Sequence, residues 1–142
     1  MLVVKKSKLP DAGKGLFTTT RIKKGEAVVE YLGEKLTWKQ AEWRYRKSES
    51  MAYVFYISAK NCIDAQPFPD ALARYANDAK ATLVKKVKNN SEYQIIKRKA
   101  FIVATKSIPA NSEILVDYGD DYWEIEEEEK PAKKKTKKKS KK

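Results

Sequence analysis

The chain has 142 residues, the size of one ordinary domain with short appendages. Its 31 Lys and Arg against 19 Asp and Glu leave a net charge of +12, which favours acidic partners such as nucleic acid or a reaction at a negatively charged surface. With no histidine and one cysteine it cannot support Ser–His or Cys–His catalysis, two-cysteine two-histidine zinc fingers, four-cysteine clusters or an internal disulfide.

In chain order, Leu2 to Ser7 reads as a short strand, Pro10 to Gly15 as a tight turn and Leu16 to Thr19 as the next strand. Ile22 to Glu26 turns the chain into a third strand, Ala27 to Leu32, rich in β-branched residues. Thr37 and Gln40 have capping-box spacing and open a helix predicted over Trp38 to Lys47. Strands follow at Tyr53 to Ile57 and Asn61 to Ala65. Pro67 and Pro69 break the pattern before a short helical turn over Asp70 to Tyr75. Thr82 to Val87, Tyr93 to Ile96 and Lys99 to Thr105 are strand-like, with a polar turn at Asn89-Asn90. A loop over Ser107 to Ser112 leads to a last strand, Ile114 to Tyr118. The body is therefore mainly β, with little helix and no internal repeat.

The charge divides after Trp123. Residues 1–123 carry 22 Lys and Arg and 14 Asp and Glu, whereas residues 124–142 carry nine lysines, five glutamates and almost nothing apolar. A segment that buries so little cannot offset its ordering entropy, so residues 124–142 are predicted to be a disordered, acidic-then-lysine-rich tail. Its Lys133 to Lys142 run suits nucleic-acid phosphates, an address signal, modification of its lysines, or solubility alone. The lone Cys62 reads as a small buried core residue. Cysteine usage and the absence of an apolar leader point to an intracellular compartment, and no stretch is long and apolar enough to cross a bilayer.

Taken singly, the local motifs are weak. Gly13-x-Gly15 is most often a turn needing positive φ, and Asp117-Tyr118-Gly119 a strand ending in a turn. Four pieces nevertheless occur in one order: Gly13-Lys14-Gly15-Leu16-Phe17, Tyr31-Leu32-Gly33-Glu34, Arg74-Tyr75-Ala76-Asn77-Asp78-Ala79, and Glu113-Ile114-Leu115-Val116-Asp117-Tyr118-Gly119. Together with Ile63-Asp64-Ala65 and the Ile108-x-x-Asn111-x-Glu113 approach, they resemble the signature segments of the SET domain of protein lysine methyltransferases, over residues 1 to about 123.

The resemblance implies several small twisted β-sheets with a C-terminal pseudoknot and few short helices. It implies S-adenosyl-L-methionine as cofactor and a lysine side chain of a basic protein as substrate, either a histone or histone-like chromosomal protein or the chain's own tail. It makes Tyr118 the catalytic tyrosine. Gly13, Lys14, Gly15, Leu16, Arg74, Asn77, Asp78, Tyr118 and Trp123 fall at cofactor-binding positions, and Tyr31, Tyr53 and Val116 at substrate-channel positions. No metal is implied. The family's asparagine is usually followed by histidine, here Asp78, and many members close the channel with a cysteine-rich zinc segment that this chain lacks. Val116 stands where the family often carries an aromatic residue, which leaves room for di- or trimethylation. The alternative is a catalytically weak SET-fold module that binds nucleic acid or chromatin through the basic tail. A homodimer is left open, as is the location: nucleus or chromatin in a eukaryotic host, cytoplasm or nucleoid in a bacterial one.

Overall fold

The computed structural model describes residues 1–48, 51–81, 87–119 and 137–138. Its strands are Leu2–Lys6 (β1), Lys14–Thr18 (β2), Ala27–Glu30 (β3), Glu34–Leu36 (β4), Val54–Ser58 (β5), Asn61–Asp64 (β6), Ser91–Ile96 (β7), Lys99–Ala104 (β8), Ser112–Ile114 (β9), Val116–Asp117 (β10) and Lys137–Lys138 (β11). One α-helix, Trp38–Arg44 (α1), and single 3-10 turns at Leu72–Tyr75 and Ala79–Ala81 complete it. The fold is mainly β, in three small sheets, as expected.

The chain forms two compact units, each discontinuous in sequence: Met1–Tyr31 with Leu72–Asp117, and Leu32–Ala71 with Tyr118–Lys142. The first unit holds two sheets, ordered β1-β2-β9 and β10-β7-β8-β3. In the first sheet Val3 pairs with Phe17 across β1 and β2, and Leu16 pairs with Ile114 across β2 and β9. Leu16, Phe17, Tyr93, Ile102, Ile114 and Val116 are all nearly or wholly buried. Burying several large apolar side chains, each worth about 1.5–3 kcal/mol, is what offsets the entropy of ordering such short strands.

Two boundaries differ from the sequence expectation here. Gly13 takes the predicted left-handed conformation, φ +74°, but Gly15 is the second residue of β2 and not part of the turn, because the ladder with β1 already begins at Lys6 and Lys14. The expected single strand Ile114 to Tyr118 is divided. Ser112–Ile114 runs antiparallel to β2, Leu115 bridges Asn77, and Val116–Asp117 runs parallel to β7. One extended stretch thereby joins both sheets of the unit.

The second unit is the sheet β11-β5-β6-β4 with α1. The capping box forms as predicted: the Thr37 hydroxyl accepts from Gln40 N at 3.1 Å and Gln40 Oε1 accepts from Thr37 N at 2.8 Å. The helix stops at Arg44, three residues before the expected end, and Tyr45 is its C-cap. Ala41 packs with Leu36, Met51, Val54 and Cys62 in the buried cluster of this unit, which gives Cys62 the core role expected of it. β4 was not evident in the sequence; three residues show no usable alternation, and it exists through pairing with β6, Glu34 opposite Asp64. The expected strand Thr82 to Val87 falls outside the described residues except for Val87, as does the tail apart from Lys137–Lys138.

Candidate active site

Three of the four signature segments come together in the first unit, around a residue that sequence reasoning had not singled out as functional. Glu113, in β9, is buried. Its Oε2 accepts from the Ser7 hydroxyl at 2.6 Å and from Asn77 Nδ2 at 3.4 Å, while Oε1 accepts from Lys8 N at 2.9 Å. The available signal was a lone carboxylate in an otherwise apolar strand, a residue type that is seldom buried without partners.

Asn77 is held from both ends. Its Nδ2 donates to the Lys14 carbonyl at 3.0 Å, and its own carbonyl accepts from Val116 N at 2.8 Å. Asn90 fixes the neighbouring stretch, donating to Glu113 O and accepting from Leu115 N, each at 2.9 Å. The sequence-predicted residues Lys14, Gly15 and Asn77 are thus brought into one hydrogen-bonded cluster, with Leu16 next in the same strand. Gly13 and Lys14 are exposed, and a Cβ on Gly13 would meet nothing within 4 Å. Main-chain polar groups beside Asn77 are therefore open to close approach by a charged ligand.

Asp78 answers the question raised by the missing histidine. It is fully buried, and its Oδ1 accepts from Lys80 N and from Asn89 Nδ2, each at 2.9 Å. Asn89 Oδ1 in turn accepts from Ala79 N at 2.7 Å. A carboxylate with two donors is thereby built into the start of the 3-10 turn at Ala79–Ala81. Arg74 lies in the preceding 3-10 turn with its guanidinium 5.0 Å from the Tyr75 ring centroid. Tyr31 is an interior residue, edge-on to Tyr93 at 6.3 Å between centroids, and Val116 is fully buried in β10.

The second unit carries Tyr53, immediately before β5, and Tyr118, which is mostly buried. The Tyr53 carbonyl accepts from Ala65 N at 3.0 Å, tying the start of β5 to the end of β6. Behind it lies an ionic cluster on Asp64, which is fully buried. Its Oδ2 accepts from Arg44 Nη1 at 2.9 Å and from the Tyr45 hydroxyl at 2.5 Å, and Oδ1 accepts from Gln66 N at 2.9 Å. Arg44 also forks onto Glu34 at 2.8 and 2.9 Å, and this hydrogen bonding holds the Glu34 carboxyl below the usual range. Burial, then the bond to Asp64, pushes the Tyr45 phenol up. Gly33, of the second signature segment, packs against the backbone of this same stretch: a Cβ there would collide with the Asp64 carbonyl. Trp123 lies outside the described residues. Among the described residues, no group of three or more His, Cys, Asp or Glu could hold a metal ion, and no helix is long and apolar enough to cross a membrane.

Residues 13–119 match the family described as SET domain. The N-lysine methyltransferase KMT5A-A of Danio rerio is 34% identical over 119 residues, which cover 76% of this chain and 33% of that protein. The histone-lysine N-methyltransferase Set8 of Drosophila pseudoobscura pseudoobscura is 33% identical over 118 residues, 76% of this chain and 16% of its own length. Among solved structures, a chain of an active polycomb repressive complex 2 in the stimulated state is similar at a TM-score of 0.70 and 27% identity, covering 86% of this chain and 15% of that one. The chain spans about a third or less of the length of these relatives.

Proposed function

Because the chain belongs to the SET domain family, we propose that it is a protein-lysine N-methyltransferase that uses S-adenosyl-L-methionine to methylate lysine side chains of a basic protein. The observation that carries this reading is the cluster in which Lys14, Asn77 and Glu113, from three separate signature segments, are tied by hydrogen bonds beside an exposed glycine backbone. The names of the relatives, histone-lysine N-methyltransferases among them, support a histone or histone-like substrate, and chromatin as the place of action in a eukaryotic host. The joining of both sheets by Ser112–Asp117 supports the pseudoknot of the family.

The residues present fit the cofactor: the Gly13–Lys14 main chain, Asn77 and Arg74 are the groups that would hold it. When bound, S-adenosyl-L-methionine supplies an electrophilic methyl group on a sulfonium, so no protein nucleophile or metal is required. The chain's own task is to present a neutral amine. A lysine has a pKa of about 10.4 in water and is almost wholly protonated at neutral pH. Apolar surroundings favour its neutral form. Tyr53 and Tyr118 suit this work, since each offers an apolar ring and a hydroxyl able to orient an amine. Holding the amine in line is worth up to about 7–11 kcal/mol in the best cases. Val116 leaves room for more than one methyl group. The Lys133–Lys142 run supplies a further contact to nucleic-acid phosphates, whose signature is steep salt dependence of binding.

The test is transfer of labelled methyl from S-adenosyl-L-methionine to a panel of basic proteins by the wild-type chain and by Tyr118→Phe. Losing an oriented polar group at the reacting centre is expected to lower transfer about 100-fold. Equal labelling by both proteins would overturn the role of Tyr118, and no labelling of any protein, the chain itself included, would overturn the enzymatic reading. Mass spectrometry of the product is expected to show di- or trimethyllysine.

A further inference from the structure

The sheet of the second unit is ordered β11-β5-β6-β4, so β5 is covered on one side by β6 and on the other only by β11, two lysines from the tail. Lys137 stands parallel to Phe55 and Lys138 to Tyr56. These are the regular positions of β5, ahead of the register shift between Tyr56 and Ser58. Without β11 this strand would present a bare edge along the uncharged sequence Val54-Phe55-Tyr56-Ile57-Ser58, and an open apolar edge is a template for an added strand. The added strand here comes from a segment with lysine at eight of its ten positions, 133–142. Such a segment has no apolar pattern of its own, and main-chain pairing to an edge does not depend on one.

We propose that the free edge of β5 is a docking strand for lysine-rich extended segments, and that the chain's own tail occupies it as an intramolecular competitor. The competing role rests on the methyltransferase reading above, because β5 begins directly after Tyr53, the residue assigned to the lysine channel. A lysine-rich strand laid parallel to Phe55 and Tyr56 lies beside that residue. Because lysine recurs at nearly every position of the tail, a slip in register still leaves a lysine opposite β5, so the pairing tolerates many sequences. Only residues 120–136 separate the described body from β11, and a tether of this kind gives its end a high effective concentration at a site within reach. A substrate peptide supplied in trans must displace it.

The test compares the full chain with two double variants, Lys137→Pro/Lys138→Pro, which removes both strand amides, and Lys137→Gln/Lys138→Gln, which removes the same charge and keeps them. Hydrogen exchange over residues 53–58 is expected to be at least about fivefold faster in the proline variant and close to wild type in the glutamine variant. A fluorescent peptide of residues 133–142 is expected to bind the proline variant several-fold more tightly than the full chain. Unchanged exchange and unchanged peptide affinity across the three proteins would overturn the docking. Loss of protection in both variants alike would show that charge, and not strand pairing, holds the tail, and would overturn the β-edge proposal. Neither readout requires methyl transfer, so a chain that docks its tail but transfers no methyl would lose the enzymatic reading alone. A chain that methylates peptides with the same KM before and after the proline substitutions would lose the competitor role alone.

Discussion

Gly15 lies so close to the Glu113 carboxylate that a Cβ at position 15 would run into Glu113 Oε2 and come within 3.2 Å of the Ser7 Cβ. The glycine of the first signature segment is therefore there for space and not for turn geometry. Glu113 could swing aside only by releasing Ser7 Oγ and Lys8 N. Gly15→Ala is expected to lower stability by about 2 kcal/mol, through overpacking and these lost hydrogen bonds. Urea denaturation checks this, and a wild-type midpoint would mean that Glu113 is not the fixed hub described above.

Gly33 meets a harder obstacle. A Cβ there would lie 2.7 Å from the Asp64 carbonyl carbon and 2.9 Å from Ala65 N, atoms of the backbone that cannot rotate away. Gly33→Ala is expected to cost about 3 kcal/mol, more than Gly15→Ala. The order of the two denaturation midpoints is the decisive comparison.

Asp64 sits at the centre of the buried network of the second unit. Asp64→Ala would leave the Tyr45 hydroxyl and Gln66 N without their acceptor and Arg44 with only the exposed Glu34. Breaking such a pair from one side is expected to cost about 3 kcal/mol. Tyr45→Phe removes one bond and is expected to cost about 1 kcal/mol. Thermal melts of the two variants measure both, and equal melting points would contradict the central place of Asp64.

Asp78 predicts an outcome opposite to simple motif repair. Substituting the family's usual histidine, Asp78→His, removes an acceptor from Lys80 N and Asn89 Nδ2 in a fully buried site. It is expected to destabilise the chain by about 2 kcal/mol, while Asp78→Asn, which keeps one acceptor oxygen, costs less. A more stable or more active Asp78→His variant would show that the aspartate is a defect and not part of a rebuilt turn.

Cys62 gives a pH dependence. Burial pushes its thiol up from 9.0 to about 11, and its Sγ faces the Ser58 carbonyl at 3.4 Å. A raised pKa means that the folded chain holds its proton longer than the unfolded one. The contribution is therefore fully present below pH 9 and is lost as pH rises from about 9 to about 11. Cys62→Ala is expected to flatten that part of the stability curve. Alkylation of the native thiol at pH 8 is expected to be slow and to speed up on unfolding.

Local features were legible in proportion to how little chain they needed. The Thr37–Gln40 capping box acts within one turn, and it formed as the spacing predicted. Gly13 needed only its own φ. Glu113 could not be found in this way, because its partner Ser7 lies 106 residues earlier. The early end of α1 was equally hidden, since it depends on Tyr45 reaching Asp64 across 19 residues. The four signature segments were readable as strings, but their purpose was not: two of their glycines are dictated by the neighbours they press against.

The sequence by itself determined the mainly β body, the capped helix, the buried cysteine and the order of segments that marks the family. Each of these is written in local propensity, hydrophobic pattern or residue type. Only the tertiary structure decided that Ser112–Asp117 serves two sheets, that Glu113 binds Ser7 and Asn77, that Asp78 has partners of its own, and that Lys137–Lys138 lies on β5. Those are pairings between distant parts of the chain, and the free energy that selects them comes from burial and hydrogen bonding once the partners meet, which no short stretch of sequence contains.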